Sequence, residues 1–452
     1  MLTKNEIKEL IDMDRISKKK SAARTGKRYY NGDHDIKKYR IFYFDSEGFL
    51  REDKKRSNVK IPHTFFTEIV NQSVQYIFSG GRIIRSDKSE LQTELDNYFN
   101  YNEDFTSNLQ QLLTGCISKG SEYMYMYKNS DGKTAFQCCD YLNVIEVTPL
   151  NSLDGKSYII YMYNESADKG KKEITHIQVW DDEMVHFFSR ENGGDIKSDD
   201  SEKINPCPHN LYSGNDGTIC YDSFGCIPFF RLDNNPEQAS DLKLIKELID
   251  DYDLMASSLS NNLIDFDTPL YAVSGFEGDS LDQLQQNLRT KKIIGLDEGG
   301  TVDVKTVDIP YEARKEKLEL DEKNIYRFGM GLNTVGLRDT VSTTNIAIKA
   351  AYSLLDLKCQ KLETRLKQFL RQIVRPVLDE INSEYGTDYK PSDVWFEFKH
   401  EVMSNALENA RIESLNQQSM KTKIQNIKDL AEFADEERIS SMIKEAIEEY
   451  DI

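Results

Sequence analysis

Four residues in one polar stretch, Cys207, His209, Cys220 and Cys226, carry the chemistry of metal ligands. Thiolate and imidazole groups hold zinc tetrahedrally when short, fixed spacings bring pairs of them together. The spacing here matches no paired knuckle, and Pro206 and Pro208 interrupt it, so these residues are expected to serve loop and core. Gly132-Lys133-Thr134 and Gly155-Lys156-Ser157 reproduce the end of a phosphate-cradling loop. However, Tyr127 and Leu150 stand where its first glycine must let backbone N–H groups close around phosphate. Ser223 has Gly225 two residues after it but Tyr221 two before it, which leaves the strained turn of a nucleophile elbow unsupported. The six His contain no His-Glu-x-x-His pair. Asp181-Asp182-Glu183 and Asp199-Asp200 are carboxylate clusters, but in a chain with 77 Asp and Glu adjacency does not define a two-metal centre. The residues therefore assign no catalytic, cofactor-binding or metal-binding position. A metal-dependent nuclease, or another nucleic-acid enzyme using the Asp/Glu or Cys/His clusters, is the competing expectation.

The elements that would position such residues follow from periodicity. A helical pattern from Leu2 to about Tyr30 ends at Asn31-Gly32, and another runs from Val59 to Phe78 with Pro62 in its first turn. Further helices are expected at Glu90 to Phe99 and Phe105 to Gly115. From Glu122 to Phe188, aromatic and β-branched residues alternate with polar ones, and Asp131-Gly132 and Asp154-Gly155 mark hairpins, so an antiparallel sheet is predicted. Glu191 to Asn215 reads as a long exposed loop and Ile227 to Leu232 as a last strand. The second half is mainly helical. A long helix opens at Asn235-Pro236-Glu237 and ends at Thr268-Pro269. A small α/β insertion follows, with strands at Leu270 to Val273, Lys292 to Leu296 and Val302 to Val307, and a return helix runs from Tyr311 to about Phe328. After a Gly-rich loop, a very long helix from Thr344 is expected to kink at Pro376. A short strand at Val394 to Phe398 precedes a helical end whose last helix is capped by Asp435.

At 452 residues the chain predicts two to four compact units. Its net charge of -19 argues against a surface that wraps nucleic acid, because phosphate binding needs positive charge at the contact. The charge is uneven. Residues 1 to 60 hold 17 Lys and Arg against 10 Asp and Glu, concentrated at Arg15, Lys18, Lys19, Lys20, Arg24, Lys27 and Arg28. This cluster reads as a solvated helix face or a contact for DNA or an acidic partner. Between Glu237 and Asp267, eight acidic residues stand against Lys243 and Lys246; if that helix lined a channel, its wall would repel phosphates. Seven Cys and a charged start without an apolar h-region predict reduced thiols and a cytoplasm-like compartment, with no membrane span.

Several stretches resemble one family. Tyr29-Tyr30-Asn31-Gly32-Asp33-His34-Asp35-Ile36 is similar to an early Tyr-x-Gly-x-His-x-Ile segment, and Asn58-Val59-Lys60-Ile61 with Phe66 to Gly80 to the helix that follows it. Ile227-Pro228-Phe229 through Asn234-Asn235, then Ser240-Asp241-Leu242 and Leu248-Ile249-Asp250-Asp251-Tyr252-Asp253, resembles a passage into a long helix. Ser342-Thr343-Thr344-Asn345-Ile346-Ala347-Ile348-Lys349 resembles the start of another. Together they resemble the portal, or head-to-tail connector, proteins of long-tailed double-stranded DNA phages of Gram-positive hosts. Thr344-Asn345 replaces the family's frequent Ser-Gly, so the preceding loop is expected to differ in shape.

The resemblance implies an α+β portal fold with a β-rich wing (1–236), a long α-helical stem helix (237–266) and a small α/β clip insertion (267–310). It also implies a stem return helix (311–330), a tunnel loop (331–343), a long kinked helix (344–385) and an α-helical crown (386–452). The tunnel-loop residues facing a DNA channel would be Leu332, Asn333, Thr334, Val335, Gly336, Leu337, Arg338, Asp339 and Thr340. Lys292 or Arg338 would supply transient DNA contacts. It further implies a homo-oligomeric ring, twelve in the virion and about twelve or thirteen when isolated. The ring would sit at a capsid vertex, assemble in the host cytoplasm, and pass double-stranded DNA inward and outward. Expected partners are the terminase large subunit, a head-completion or tail adaptor protein, and scaffolding and major capsid proteins.

Overall fold

The computed structural model describes residues 1–167, 172–199, 201–213, 219–265, 270–276, 296–305, 310–334 and 345–400, with short helical pieces at 413–415, 418–419, 421–423 and 441–444. Helices and antiparallel strands mix along the chain in an α+β arrangement.

The N-terminal helical pattern resolves into two helices, α1 (Lys4–Arg15) and α2 (Lys18–Tyr30). Thr3 and Glu6 close a capping box at the start of α1. Ser17 is extended (φ -58°, ψ 128°), which breaks the continuous helix that periodicity alone predicts. A hairpin of β1 (Phe42–Phe44) and β2 (Leu50–Glu52) leads to α3 (Phe65–Ile77). That helix begins six residues later than expected, because residues 57–63 are extended and bonded to a distant helix. Next come β3 (Ile84–Arg85), α4 (Ser89–Leu95), which continues into a π-turn at Asp96–Asn100, and α5 (Glu103–Lys119). Asn102 caps the first turn of α5, and Gly120 (φ +98°) ends it at a point where a Cβ would lie 2.3 Å from the Gln238 carbonyl oxygen.

The strands form two main sheets. β4 (Ser121–Lys128) is flanked by β5 (Thr134–Cys139) and β14 (Phe229–Asp233). The larger sheet runs in the order β10 (Lys197–Ser198), β9 (Met184–Glu191), β8 (Lys172–Trp180), β7 (Tyr158–Ala167), β6 (Val144–Val147), with β11 (Cys207–Pro208) also on β9. A separate pair joins β12 (Asn210–Ser213) to β13 (Ile219–Asp222). The expected loop at 191–215 thus contains edge strands, satisfied by a neighbour that short-range patterning cannot reveal. The run Tyr123-Met124-Tyr125-Met126 shows the period of two at work: Met124 and Met126 enter the helical core, whereas Tyr123 and Tyr125 face the larger sheet. On the opposite face of that sheet, Ile7 and Ile11 of α1 pack on Ile145, Ile160 and Val179.

The second half begins with a 3-10 turn at Asp241–Leu244, and only then α6 (Lys246–Asp265). The expected start near Glu237 is shifted because Gln238 takes a positive φ and the Ser240 side chain accepts from Leu242 N–H. The hairpin β15 (Leu270–Phe276) and β16 (Leu296–Lys305) is the described part of the insertion; 277–295 and 306–309 lie outside the described residues. α7 (Tyr311–Gly329) returns along α6. α8 (Asn345–Tyr385) continues through Pro376, with Val374, Val377 and Leu378 buried around the ring. Val394 to Phe398 narrows to β17 (Trp395–Phe396), paired with β3. Asp435 and most of 401–452 lie outside the described residues.

The core is centred on α3, α5 and α8, where Phe66, Ile69, Leu112, Leu366 and Ile373 are fully enclosed. Each such side chain contributes about 1.5–3 kcal/mol by leaving water. α2 crosses α5 at Gly26, whose Cβ, if present, would lie 1.9 Å from the Ser118 carbonyl oxygen. Gly26→Ala is therefore expected to force the helices apart and destabilise the chain by about 1–3 kcal/mol. A thermal-unfolding midpoint several degrees lower would register this, and an unchanged midpoint would mean the crossing tolerates separation.

Candidate functional site

α6 and α7 form an antiparallel pair. Lys317 reaches back to Asp251 at 2.7 Å and pairs with Asp321 one turn along, while Gly329 meets Ile245 at the other end. Most of the acidic residues that suggested a repelling wall are engaged within the subunit. Asp241 pairs with Lys358 at 2.8 Å, and Asp250 takes Lys246 at 2.5 Å together with the Tyr29 hydroxyl. Lys246 also holds Asp35 at 2.8 Å.

The segment before α3 lies along α6 as a strap. The backbone N–H groups of Ser57, Val59, Ile61 and His63 donate to side chains of Asp265, Asn261, Ser257 and Asp253, at 3.2, 2.6, 3.1 and 2.8 Å. Four residues of helix rise about 6 Å and two residues of extended chain about 6.6 Å, so one acceptor per helical turn keeps step with every second amide. Pro62, which has no N–H, falls on the opposite parity and interrupts nothing. This is why the residues around Pro62 do not form the first turn of a helix.

Asp253 is the node of this arrangement. Its carboxylate is fully buried and meets His34 Nδ1 at 2.7 Å and His63 Nδ1 at 2.9 Å, besides accepting the His63 amide. His34 stacks on Tyr29 at 4.5 Å, and its Nε2 lies 3.2 Å from the Tyr29 carbonyl oxygen. Burial alone would raise the Asp253 carboxyl; the hydrogen bonds from His34 and His63 outweigh it and hold the group below its ordinary range. Two of the stretches that carried the family resemblance, 29–36 and 248–253, thus meet at one carboxylate, and a third, 58–61, runs along the same helix in the strap.

The pair also presents the loop that follows α7. Met330 takes a left-handed φ of +54°, and Gly331 N–H donates to Tyr326 O at 2.9 Å. Cβ atoms at Gly329 and Gly331 would each sit 2.8 Å from Ile69, so these glycines permit close packing on α3. Gln72 on α3 clamps the Leu332 peptide at both ends, its Oε1 accepting the amide at 2.8 Å and its Nε2 donating to the carbonyl at 2.9 Å. Leu332 is buried, and Asn333 donates to Glu322 at 3.2 Å. Of the expected loop residues, Leu332, Asn333 and Thr334 form this anchored root. Val335, Gly336, Leu337, Arg338, Asp339 and Thr340 lie outside the described residues, as does Lys292.

The residues with enzyme-like chemistry take structural parts. His209 faces Asp181 O at 3.0 Å and Ser223 Oγ at 3.4 Å, and Cys207 is buried in β11. Cys226 is exposed, and the side chain of Cys220 lies outside the described set. Among the described residues no group of three His, Cys, Asp or Glu could hold a metal ion. Asp181 organises the turn into β9 by accepting from Glu183 and Met184, and Asp199 accepts from Ser201 and faces His176. The basic cluster at 15–28 is largely absorbed. Lys20 is buried against the Val144 carbonyl at 2.6 Å, Lys27 pairs with Asp140 at 2.6 Å, and Arg28 pairs with Asp35 at 2.7 Å.

A strapped antiparallel helix pair that carries an anchored loop root is thus set between a β-rich half and a long helix, and comparison with known proteins gives the family. The family described as phage portal protein, SPP1 Gp6-like, matches residues 12–449. A portal protein of Bacillus phage SPP1 is 25% identical over 346 residues, covering 76% of this chain and 67% of that protein. A portal protein of Clostridium phage phiCD119 is 25% identical over 420 residues, covering 88% and 86% respectively. The chain belongs to the SPP1 Gp6-like family of phage portal proteins.

Asp253→Asn removes an acceptor from an enclosed site and should lower stability by about 3–5 kcal/mol, read from the denaturant midpoint. Because the folded carboxyl sits below 3.8, its stabilisation is complete above that pH and is lost as pH falls through the folded value. The wild type should therefore lose stability more steeply than the variant below about pH 4. Parallel acid profiles would remove Asp253 from this role. Gln72→Ala should release the Leu332 peptide, raising amide hydrogen exchange across 330–334 with about 1–2 kcal/mol lost overall. Unchanged exchange there would show that packing on Ile69 suffices.

Proposed function

We propose that copies of this chain close into a ring in the phage head, through which double-stranded DNA is packaged and later released, with the α6–α7 pair as the stem and the loop after α7 as the tunnel loop. The observation that carries this reading is the strapped pair itself. Its length is braced from within by Asp253, the strap and Lys317, so it keeps its shape while neighbours and DNA press on it. Residues 1–236 then make the wing, 237–266 and 311–330 the stem, 267–310 the clip, 331–343 the tunnel loop, 344–385 the long helix and 386–452 the crown. The clip docks the terminase large subunit during packaging and the adaptor afterwards. The ring has about twelve members, by resemblance to the family. Asp181 and His209 serve a turn and a loop contact in the β-rich half.

A channel must pass a polyanion without holding it. With so many stem carboxylates paired inside the subunit, the chain's overall charge of -19 sets the long-range repulsion. Positive residues of the loop, such as Arg338, give the brief contacts. Negative-stain images of the purified chain should show rings with a central hole, and a monomer or dimer under all conditions would overturn the reading. Arg338→Ala combined with Asp339→Ala should leave rings intact and impair packaging or retention of DNA. Failure of that variant to form rings would make the loop an assembly element.

A further inference from the structure

The β1–β2 hairpin stands apart from the three hydrophobic clusters of the subunit. All six of its strand residues are exposed, and Phe42, Phe44, Phe49 and Leu50 are 52–73% accessible. Directly opposed residues of an antiparallel pair share a face, so the pairings Phe42↔Glu52 and Phe44↔Leu50 put Phe42, Phe44 and Leu50 on one side. The turn is nonetheless well built: Asp45 accepts from the Glu47 and Phe49 amides and pairs with Arg51 at 2.5 Å. An isolated two-stranded hairpin is marginal in water and needs a surface to lie on. Among the described residues the subunit supplies none, although it fixes the hairpin's conformation.

Its position identifies the missing surface. One root, Ser57, is bonded to Asp265, and Asn58 reaches the other root through the Tyr39 carbonyl, so the hairpin leaves the body at the C-terminal end of α6. At that end Leu263, Ile264 and Tyr311 are each about half exposed, with Glu312 and Glu316 beside them on α7. Rotation about a ring axis leaves height along the axis unchanged, so the hairpin of one subunit meets its neighbour at this same end. A ring contact is heterologous, pairing two different patches. Charge also favours a second copy: the hairpin's two roots, residues 37–41 and 53–60, carry seven Lys and Arg against one Asp, in a chain of net charge -19.

We infer that the hairpin is an exchange arm: its Phe42, Phe44, Leu50 face lies on Leu263, Ile264 and Tyr311 of the next copy of this chain. The inference rests on the ring reading above. Mixing Phe44→Cys chains with Ile264→Cys chains before assembly, then adding a short bis-maleimide, tests it. Crosslinked dimers are expected only in rings containing both variants, above the background that exposed Cys226 gives in wild type. A chain carrying both substitutions should give a ladder up to the full ring. Intact rings without that dimer, or crosslinks confined within one chain, overturn the arm while leaving the ring. A monomeric wild type overturns both. A second variant, Phe42→Ser with Phe44→Ser and Leu50→Ser, should keep its far-UV spectrum and need at least tenfold more protein to form rings. If it assembles as wild type does but retains less duplex DNA on a filter, the hairpin is a nucleic-acid contact and the inference fails.

Discussion

A fully buried carboxylate is tolerable only when its oxygens are filled by donors, and Asp253 meets that condition with groups from two distant parts of the chain. His34 comes from the end of α2, His63 from the strap before α3, and Asp253 itself from the middle of α6. Satisfying this one group fixes where the N-terminal helices end, where the strap runs and how α6 stands against both. The strap poses the same question for backbone amides, since an extended segment with no neighbouring strand must find acceptors elsewhere. Side chains at 253, 257, 261 and 265 provide them, so α6 acts toward the strap as the edge of a sheet would.

The other end of the helix pair is fixed by shape. Gly329 and Gly331 let the chain lie directly on Ile69, and Gln72 holds the Leu332 peptide at both its polar atoms. Lys358, buried and paired with Asp241, also reaches the Gly329 carbonyl at 3.3 Å and so ties α8 to this junction. The loop after α7 thus starts from a root joined to α3, α7 and α8. Displacement of the root would be felt by the long helix that carries the far side of the subunit.

Much of the fold was legible in the sequence. The Tyr-Met alternation in β4, the Gly32 stop and the long stripe in α8 are local patterns, and the structure has each where the pattern puts it, whereas α5 runs past its expected end at Gly115 to Lys119. The errors share a cause. The helix expected through Val59 was lost to acceptors 190 or more residues away, and the loop expected at 191–215 became edge strands through pairing with β9. The Gly-rich stretch after α7 was read only as a loop, and that Gly329 and Gly331 are notches for packing on Ile69 was not legible. The acidic helix was read as a channel wall or a solvated face; that its central aspartates are also bonded inside the subunit is a pairing the local pattern does not show.

By itself the sequence determined the α+β class, the order of elements and the family, because periodicity, caps and turn residues act over a few neighbouring residues and survive without knowledge of the rest. It also placed His34 and Asp253 in recognisable stretches without saying that they touch. Only the tertiary structure decided which carboxylates are buried, which amides they receive and which aromatic face is left bare. Such matches depend on a single donor meeting a single acceptor across distant segments, and that leaves no period in the chain to read.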